Sequence, residues 1–254
     1  MTKLPLAPIF SLAVLVGVSP APAQDDMVEG FVRLRDLAPE IVEDMRYAGN
    51  HNFVGRPIDG YEAGACILTR EAAEALAAAA AEIASADLSL RVYDCYRPAR
   101  AVADFAQWAR ALDERQMQQE FYPRVDKSEL FERGYIAERS GHSRGSTIDV
   151  TLEPKGAAPR QWTSGEALVD CAMPERFDDA VLDFGTGYDC FDERAHHGAE
   201  GVSAEAAANR QSLADLLARH GFKPYHEEWW HYTLADEPFP DTYFDFPITP
   251  RAGN

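Results

Sequence analysis

Apolar and polar residues along this chain follow two periods. Leu88, Leu90 and Val92 alternate with polar neighbours, the two-residue period of a β-strand, and that strand ends at Asp94-Cys-Tyr-Arg97. Ile148, Val150 and Leu152 alternate in the same way with Asp149 and Thr151, after a loop in which Gly141 and Gly145 relieve the backbone. Around these strands the pattern is helical. Thr69 is placed to cap a helix from Arg70 through the alanine run to about Ala86, with acidic residues in the first turn and alanine, the best helix former, in the body. Pro98 suits the first turn of a second helix, running through Phe105, Trp108 and Leu112. Ser203 caps a third, with Leu213, Leu216 and Leu217 on one face and Gly221 as its stop. Trp229 to Leu234, rich in aromatic and β-branched residues, reads as a final strand. No internal repeat, low-complexity tract or linker divides the chain beyond its first residues, so the pattern predicts one α+β domain.

Those first residues stand apart. Lys3, the mostly apolar run Leu4 to Val18 and the small-x-small step Ala21-Pro-Ala23 have the layout of a secretory signal peptide, which assigns residues 1–23 to a cleaved leader and 24–254 to the mature domain. An uncleaved anchor is the alternative, and the apolar run is short for a membrane span. Export changes the meaning of the four cysteines, because an even count in an oxidising compartment favours disulfides. Of three possible pairings, Cys66 with Cys95 and Cys171 with Cys190 is preferred, each pair flanking one local structural unit; buried free thiols are the alternative. A formal charge of −18 argues against nucleic acid and anionic lipid as partners, both of which need basic patches. The expectation is a periplasmic or secreted protein, off the membrane once the leader is cut, with its oligomeric state open.

The candidate chemistry lies in two segments, Ser140-Gly-His-Ser-Arg-Gly-Ser-Thr-Ile-Asp149 and Glu228-Trp-Trp-His231. Together they offer two imidazoles, His142 and His231, and the Asp149 carboxylate to a metal, with Glu228 to spare. Three protein ligands and an open fourth position describe catalytic zinc, whereas structural sites close all four. Glu228 is then available as the base that takes a proton from water. Each histidine taken alone is more often a loop or capping residue than a ligand. His196 and His197 are adjacent and cannot share a face of a strand or helix, so they read as structural or surface residues, with one of them a rival ligand. His51, His220 and His226 have no comparable setting. One difficulty stands: residues three apart on a flat strand point to opposite faces, so either Glu228 precedes the strand or a bulge re-aims it.

Tyr96-Arg-Pro98, the Ser140–Asp149 segment, the run Gly185-Thr-Gly-Tyr-Asp-Cys-Phe-Asp-Glu-Arg194, Glu228-Trp-Trp-His-Tyr232 and the ending Tyr243-Phe-Asp-Phe-Pro247 occur in order. This set resembles the D-alanyl-D-alanine dipeptidase family, the VanX-type zinc peptidases, over roughly Val32 to Pro247. The resemblance implies a small, mainly antiparallel sheet packed by helices and one zinc per chain, held by His142, Asp149 and His231. It implies Glu228 as general base and later acid, and Arg97 as the cation that stabilises the oxyanion. Asp189 would bind the substrate's free ammonium, with Tyr47 and Ser140 lining the same small pocket. Without the resemblance, Arg97 reads as a surface ion pair and Asp189 as a loop cap. The rivals are a D,D- or L,D-carboxypeptidase trimming peptidoglycan stems, a non-catalytic zinc module of the kind related to the hedgehog signalling domain, and a secreted binding protein without metal.

Overall fold

The alternation over residues 88–94 becomes the centre of a sheet. The computed structural model describes residues 27–158 and 160–251, and the predicted leader lies outside them. In chain order the strands are β1 (Phe31–Arg33), β2 (Val42–Glu43), β3 (Ile67–Thr69), β4 (Leu88–Asp94), β5 (Thr147–Pro154), β6 (Phe222–Pro224) and β7 (His231–Leu234). The α-helices are α1 (Leu34–Leu37), α2 (Arg70–Ile83), α3 (Ala99–Arg110), α4 (Gln118–Phe121) and α5 (Ala204–Arg219), joined by short 3-10 turns that include Gly141–Arg144. The main sheet has five strands in the order β2-β4-β5-β7-β6, and β1 with β3 forms a separate two-stranded ribbon. Only β2 runs parallel to its neighbour, and the other pairings are antiparallel. The class is α+β, with a mixed and mostly antiparallel sheet.

Local signals explain most boundaries. Thr69 Oγ1 accepts from the Ala72 N–H at the start of α2, and Ser203 Oγ from the Ala206 N–H at the start of α5. Gly221, with φ +86°, follows α5 in the left-handed conformation that glycine adopts without cost. Pro98 flanks α3 as its N-cap, and the helix stops at Arg110, leaving Leu112 exposed. Helix α2 ends at Ile83, short of the alanine run's end. The last strand differs most from expectation. Trp229 and Trp230 precede β7 in a turn, both buried. Trp229 stacks on Phe184 at 4.2 Å and donates from its indole N–H to Thr186 Oγ1 at 2.9 Å, so side-chain packing rather than ladder pairing holds it.

Apolar residues of β4 and β5 (Leu90, Val92, Ile148, Val150, Leu152) pack with Leu76 of α2 and Leu213 and Leu217 of α5. A second cluster gathers Phe53, Phe105, Trp108, Tyr122 and Phe191 around α3. Disulfides join Cys66 to Cys95 and Cys171 to Cys190, the expected pairing, with Cα–Cα distances of 5.3 and 5.6 Å. No helix among the described residues is long and apolar enough to cross a membrane.

Candidate active site

The site is a row of side chains across the sheet. Asp149 on β5 is paired with His231 on β7 on one side and with Asp94 on β4 on the other. Residues directly opposite one another on neighbouring strands project from the same face. His142 joins the row from the turn Gly141–Arg144, which closes at Gly145 with φ +84°. A Cβ at Gly145 would lie 2.2 Å from the Phe31 ring, so no other residue fits there. Ser140 Oγ accepts the His142 N–H and starts the turn.

The imidazole of His142 is fully buried and lies 2.7 Å from the Cys95 carbonyl through Nδ1, which must donate because a carbonyl can only accept. In the neutral ring this leaves the lone pair on the other nitrogen, Nε2, which lies 3.2 Å from Asp149 Oδ1 and 3.2 Å from His231 Nδ1. His231 Nδ1 and Asp149 Oδ1 are 3.1 Å apart. Three atoms able to ligate a metal thus form a triangle, and Asp149 Oδ1 is buried without a hydrogen bond. Ligand atoms about 2.0–2.2 Å from a tetrahedral ion are separated by roughly 3.3–3.5 Å, so the triangle fits a metal. These residues form a candidate metal-ligand group among the described residues. Charge agrees with geometry. Burial opposes a charged His231, but Asp149 and Glu228 outweigh it and push the imidazole up to about 9. Burial likewise opposes ionisation of Asp149, and the two imidazoles overcome it, holding the carboxylate well below its usual range. Such a site is built to hold positive charge.

Glu228 lies in the turn before β7, so the strand's two-residue period does not apply to it. The His231 N–H donates to the Glu228 carbonyl at 3.3 Å, folding the turn so that Glu228 Oε2 stands 3.3 Å from His231 Nδ1. Arg97, just beyond β4, donates from Nε to Asp94 Oδ2 at 2.9 Å, and its terminal nitrogen is 3.7 Å from Asp149. The guanidinium sits over the rings of Tyr47 and Phe105, at 5.1 and 5.2 Å. Asp189 is 5% exposed and accepts from the Tyr47 hydroxyl at 2.8 Å. Burial, then the nearby Asp149, holds its carboxyl well above the ordinary range, and the Tyr47 hydrogen bond only partly offsets this. One cavity of about 290 Å³ is lined by Tyr47, Arg97, Ser140, Asp149, Asp189, Glu228 and His231.

The family model for D-Ala-D-Ala dipeptidase, peptidase family M15, matches residues 27–160 and 155–249. The chain belongs to this family. It is similar to the D-alanyl-D-alanine dipeptidase of Enterococcus faecium, with 38% identity over 86% of this chain and 98% of that relative. The D-alanyl-D-alanine dipeptidases of Streptomyces coelicolor and Enterococcus faecalis are 39% and 37% identical, over 87% and 88% of this chain and the whole of each relative.

Against this D-Ala-D-Ala dipeptidase background, the remaining histidines take other places. His51 is held between Glu120 and Arg46 and stacks on Trp162. His220 pairs with Glu82, His226 is exposed, and neither His196 nor His197 belongs to the metal-ligand group. Three site residues escaped sequence reasoning. Asp94 fixes Arg97, Tyr61 donates to Asp94 Oδ1 at 2.6 Å, and Tyr188 donates to Asp149 Oδ2 at 2.9 Å. Asp94 and Tyr188 sit inside segments already singled out, which is the one available signal; Tyr61 has none.

Proposed function

We propose that this protein is a zinc-dependent dipeptidase that hydrolyses D-Ala-D-Ala to two D-alanines. The observation that carries the reading is the buried Asp189 carboxyl lining the same cavity as Glu228 and as Asp149 and His231 of the triangle. His142, Asp149 and His231 would hold the ion, and their two-nitrogen, one-oxygen donor set suits zinc. A zinc ion bound there supplies Lewis-acid chemistry, acidifying water and polarising a carbonyl.

The rest falls to side chains of this chain. Glu228 takes the proton from the attacking water and returns it to the leaving amine. Arg97, fixed in place by Asp94 before substrate arrives, faces the oxyanion that develops on the scissile carbonyl. Asp189 binds the substrate ammonium. A buried carboxyl that resists ionisation gains most from a cation brought against it, and Tyr47 orients it to receive one. Ser140 lines the wall beside the ligands. A stem-trimming carboxypeptidase would bring an acylated nitrogen to Asp189, leaving that carboxyl without a partner, so the dipeptide is favoured.

The experiment is release of D-alanine from D-Ala-D-Ala and from its N-acetyl derivative by zinc-loaded and chelator-treated protein. Zinc-dependent release, with the N-acetylated substrate much the poorer, is expected. Equal rates on the two would remove the ammonium pocket, and no release from folded, zinc-loaded protein would remove the reading.

Two disulfides also support export, since such bonds persist in oxidising compartments. An exported dipeptidase cannot deplete precursor inside the cell, so recycling or scavenging of wall-derived dipeptide is the role proposed. Growth on D-Ala-D-Ala as sole nitrogen source that survives deletion of the gene would count against it.

A further inference from the structure

A dipeptide is a zwitterion, and the proposed reading accounts for only one of its charges. The cavity has a buried carboxyl for the ammonium and, near the scissile bond, the Arg97 cation, which is already committed to Asp94. The substrate carboxylate must also enter past the Glu228 carboxyl, on a chain of charge −18, so a second cation at the cavity wall would favour its entry.

One candidate lines the cavity. Arg139, next to Ser140, contributes to its wall and is itself exposed, whereas Asp189 is buried, so Arg139 stands at the solvent side. Its guanidinium lies over the Tyr243 ring at 5.2 Å. Arg144 approaches the same ring at 5.7 Å but is held by two hydrogen bonds to Glu237, each 2.8 Å. Other arginines of this region are also paired, Arg110 with Glu138 and Arg133 with Glu129 and Glu193. Arg139 has no ion pair among the described residues. A guanidinium steadied by an aromatic face, with its donors unspent, is suited to bidentate recognition of a carboxylate.

We infer that Arg139, steadied on Tyr243, receives the C-terminal carboxylate of the substrate and so restricts this enzyme to peptides with a free C-terminus beside the scissile bond. The inference rests on the proposed dipeptidase reading. It also gives a role to Tyr243, which is 38% exposed, while Phe244 and Phe246 of the same ending pack on Phe31.

The test compares D-Ala-D-Ala with D-Ala-D-alaninamide, which lacks only the carboxylate charge, using zinc-loaded wild type, Arg139→Ala, Arg139→Lys and Tyr243→Leu. Wild type is expected to favour the free acid. Arg139→Ala should lose about ten-fold in kcat/KM on the acid, carried by KM, and little on the amide, the low end of a charge-assisted contact because the site is partly wet. Arg139→Lys should recover part of the preference, and Tyr243→Leu should weaken it in the same direction. An Arg139→Ala variant whose acid-to-amide ratio equals that of wild type overturns the inference while leaving the dipeptidase reading intact. Wild type inert on both substrates overturns the dipeptidase reading and the inference with it.

Discussion

Asp94 and Asp149 face each other across β4 and β5 because the register slips by one residue between them. Val92 is paired with Val150, so an unbroken ladder would set Asp94 opposite Ile148 and turn it into the apolar core. The irregularity between Val92 and Asp94 moves Asp94 opposite Asp149 instead, onto the face that carries His231. A one-residue slip reverses the face of every side chain beyond it, and bulges are common where an active site needs that reversal. The bulge therefore delivers the carboxylate that fixes Arg97.

Arg97→Ala is expected to lower kcat about 10²- to 10³-fold, the usual effect of removing one preorganised oxyanion partner. Asp94→Asn, which drops the charge and keeps one acceptor oxygen, enough for Arg97 or Tyr61 but not both, should lose less. Asp94→Ala should in addition destabilise the fold by about 1–3 kcal/mol, because Arg97 loses the nearer of its two carboxylates and the buried Tyr61 hydroxyl loses its acceptor. Steady-state kinetics and denaturant unfolding check both halves. An Asp94→Ala protein with wild-type kcat would show that Arg97 does not depend on it.

Glu228→Ala should bind zinc as wild type does and lose roughly 10²- to 10⁴-fold in kcat, the range for a positioned acid–base group. The residue lies outside the metal-ligand group, and its side chain is 26% exposed, so neither metal affinity nor folding depends heavily on it. Metal analysis beside turnover separates the two functions. Near-normal turnover in a zinc-replete variant would take Glu228 out of the chemistry.

Local signals were the ones legible in the sequence. Thr69 and Ser203 announce α2 and α5 because a cap acts within three residues, and the alternation over β4 and β5 shows because both strands present an apolar face to the helices. The pair His142 and Asp149 could be read together with His231 because their spacing is carried by a turn and a strand. The bulge at Asp94 is a property of two paired strands and leaves no mark in either one alone. The same limit explains Trp229 and Trp230, whose composition suits a strand but which lie in a turn, Trp229 against Phe184 and Thr186 and Trp230 against Tyr188. That turn is also what answers how Glu228 reaches the site three residues before His231.

His197 should shape acid stability. Burial, then the nearby Arg210, pushes it down to about 4, and its Nε2 is buried without a partner. The folded protein keeps this ring neutral while the unfolded chain takes a proton below about 6.5. Its contribution is therefore complete above about 6.5 and is lost as pH falls toward about 4. His197→Gln, which cannot titrate but can still bond to the Glu228 backbone, should flatten the fall of Tm between those limits relative to wild type. Parallel Tm curves for the two proteins would assign the acid slope elsewhere.

Each disulfide ends one residue from a side chain of the site, Cys95 after Asp94 and Cys190 after Asp189, and their losses should differ in kind. Mass analysis without reductant should find both bonds intact. Closing loops with sequence separations of 29 and 19, each contributes about 3 kcal/mol in the chain-entropy account, so both double Cys→Ser variants should melt earlier. Cys95 also supplies the carbonyl that fixes the His142 ring, so losing its bond should weaken zinc retention. Asp189 instead sits at φ +56°, a left-handed conformation that costs a non-glycine residue about 1–2 kcal/mol and persists only where its surroundings impose it. Freed from Cys171, residue 190 no longer imposes it, so the Asp189 carboxyl should wander and KM should rise more than kcat falls, with zinc content unchanged. Titration of zinc against a competing chelator and a KM-against-kcat comparison distinguish the two variants; equal losses of zinc in both would mean that the bonds act only through global stability.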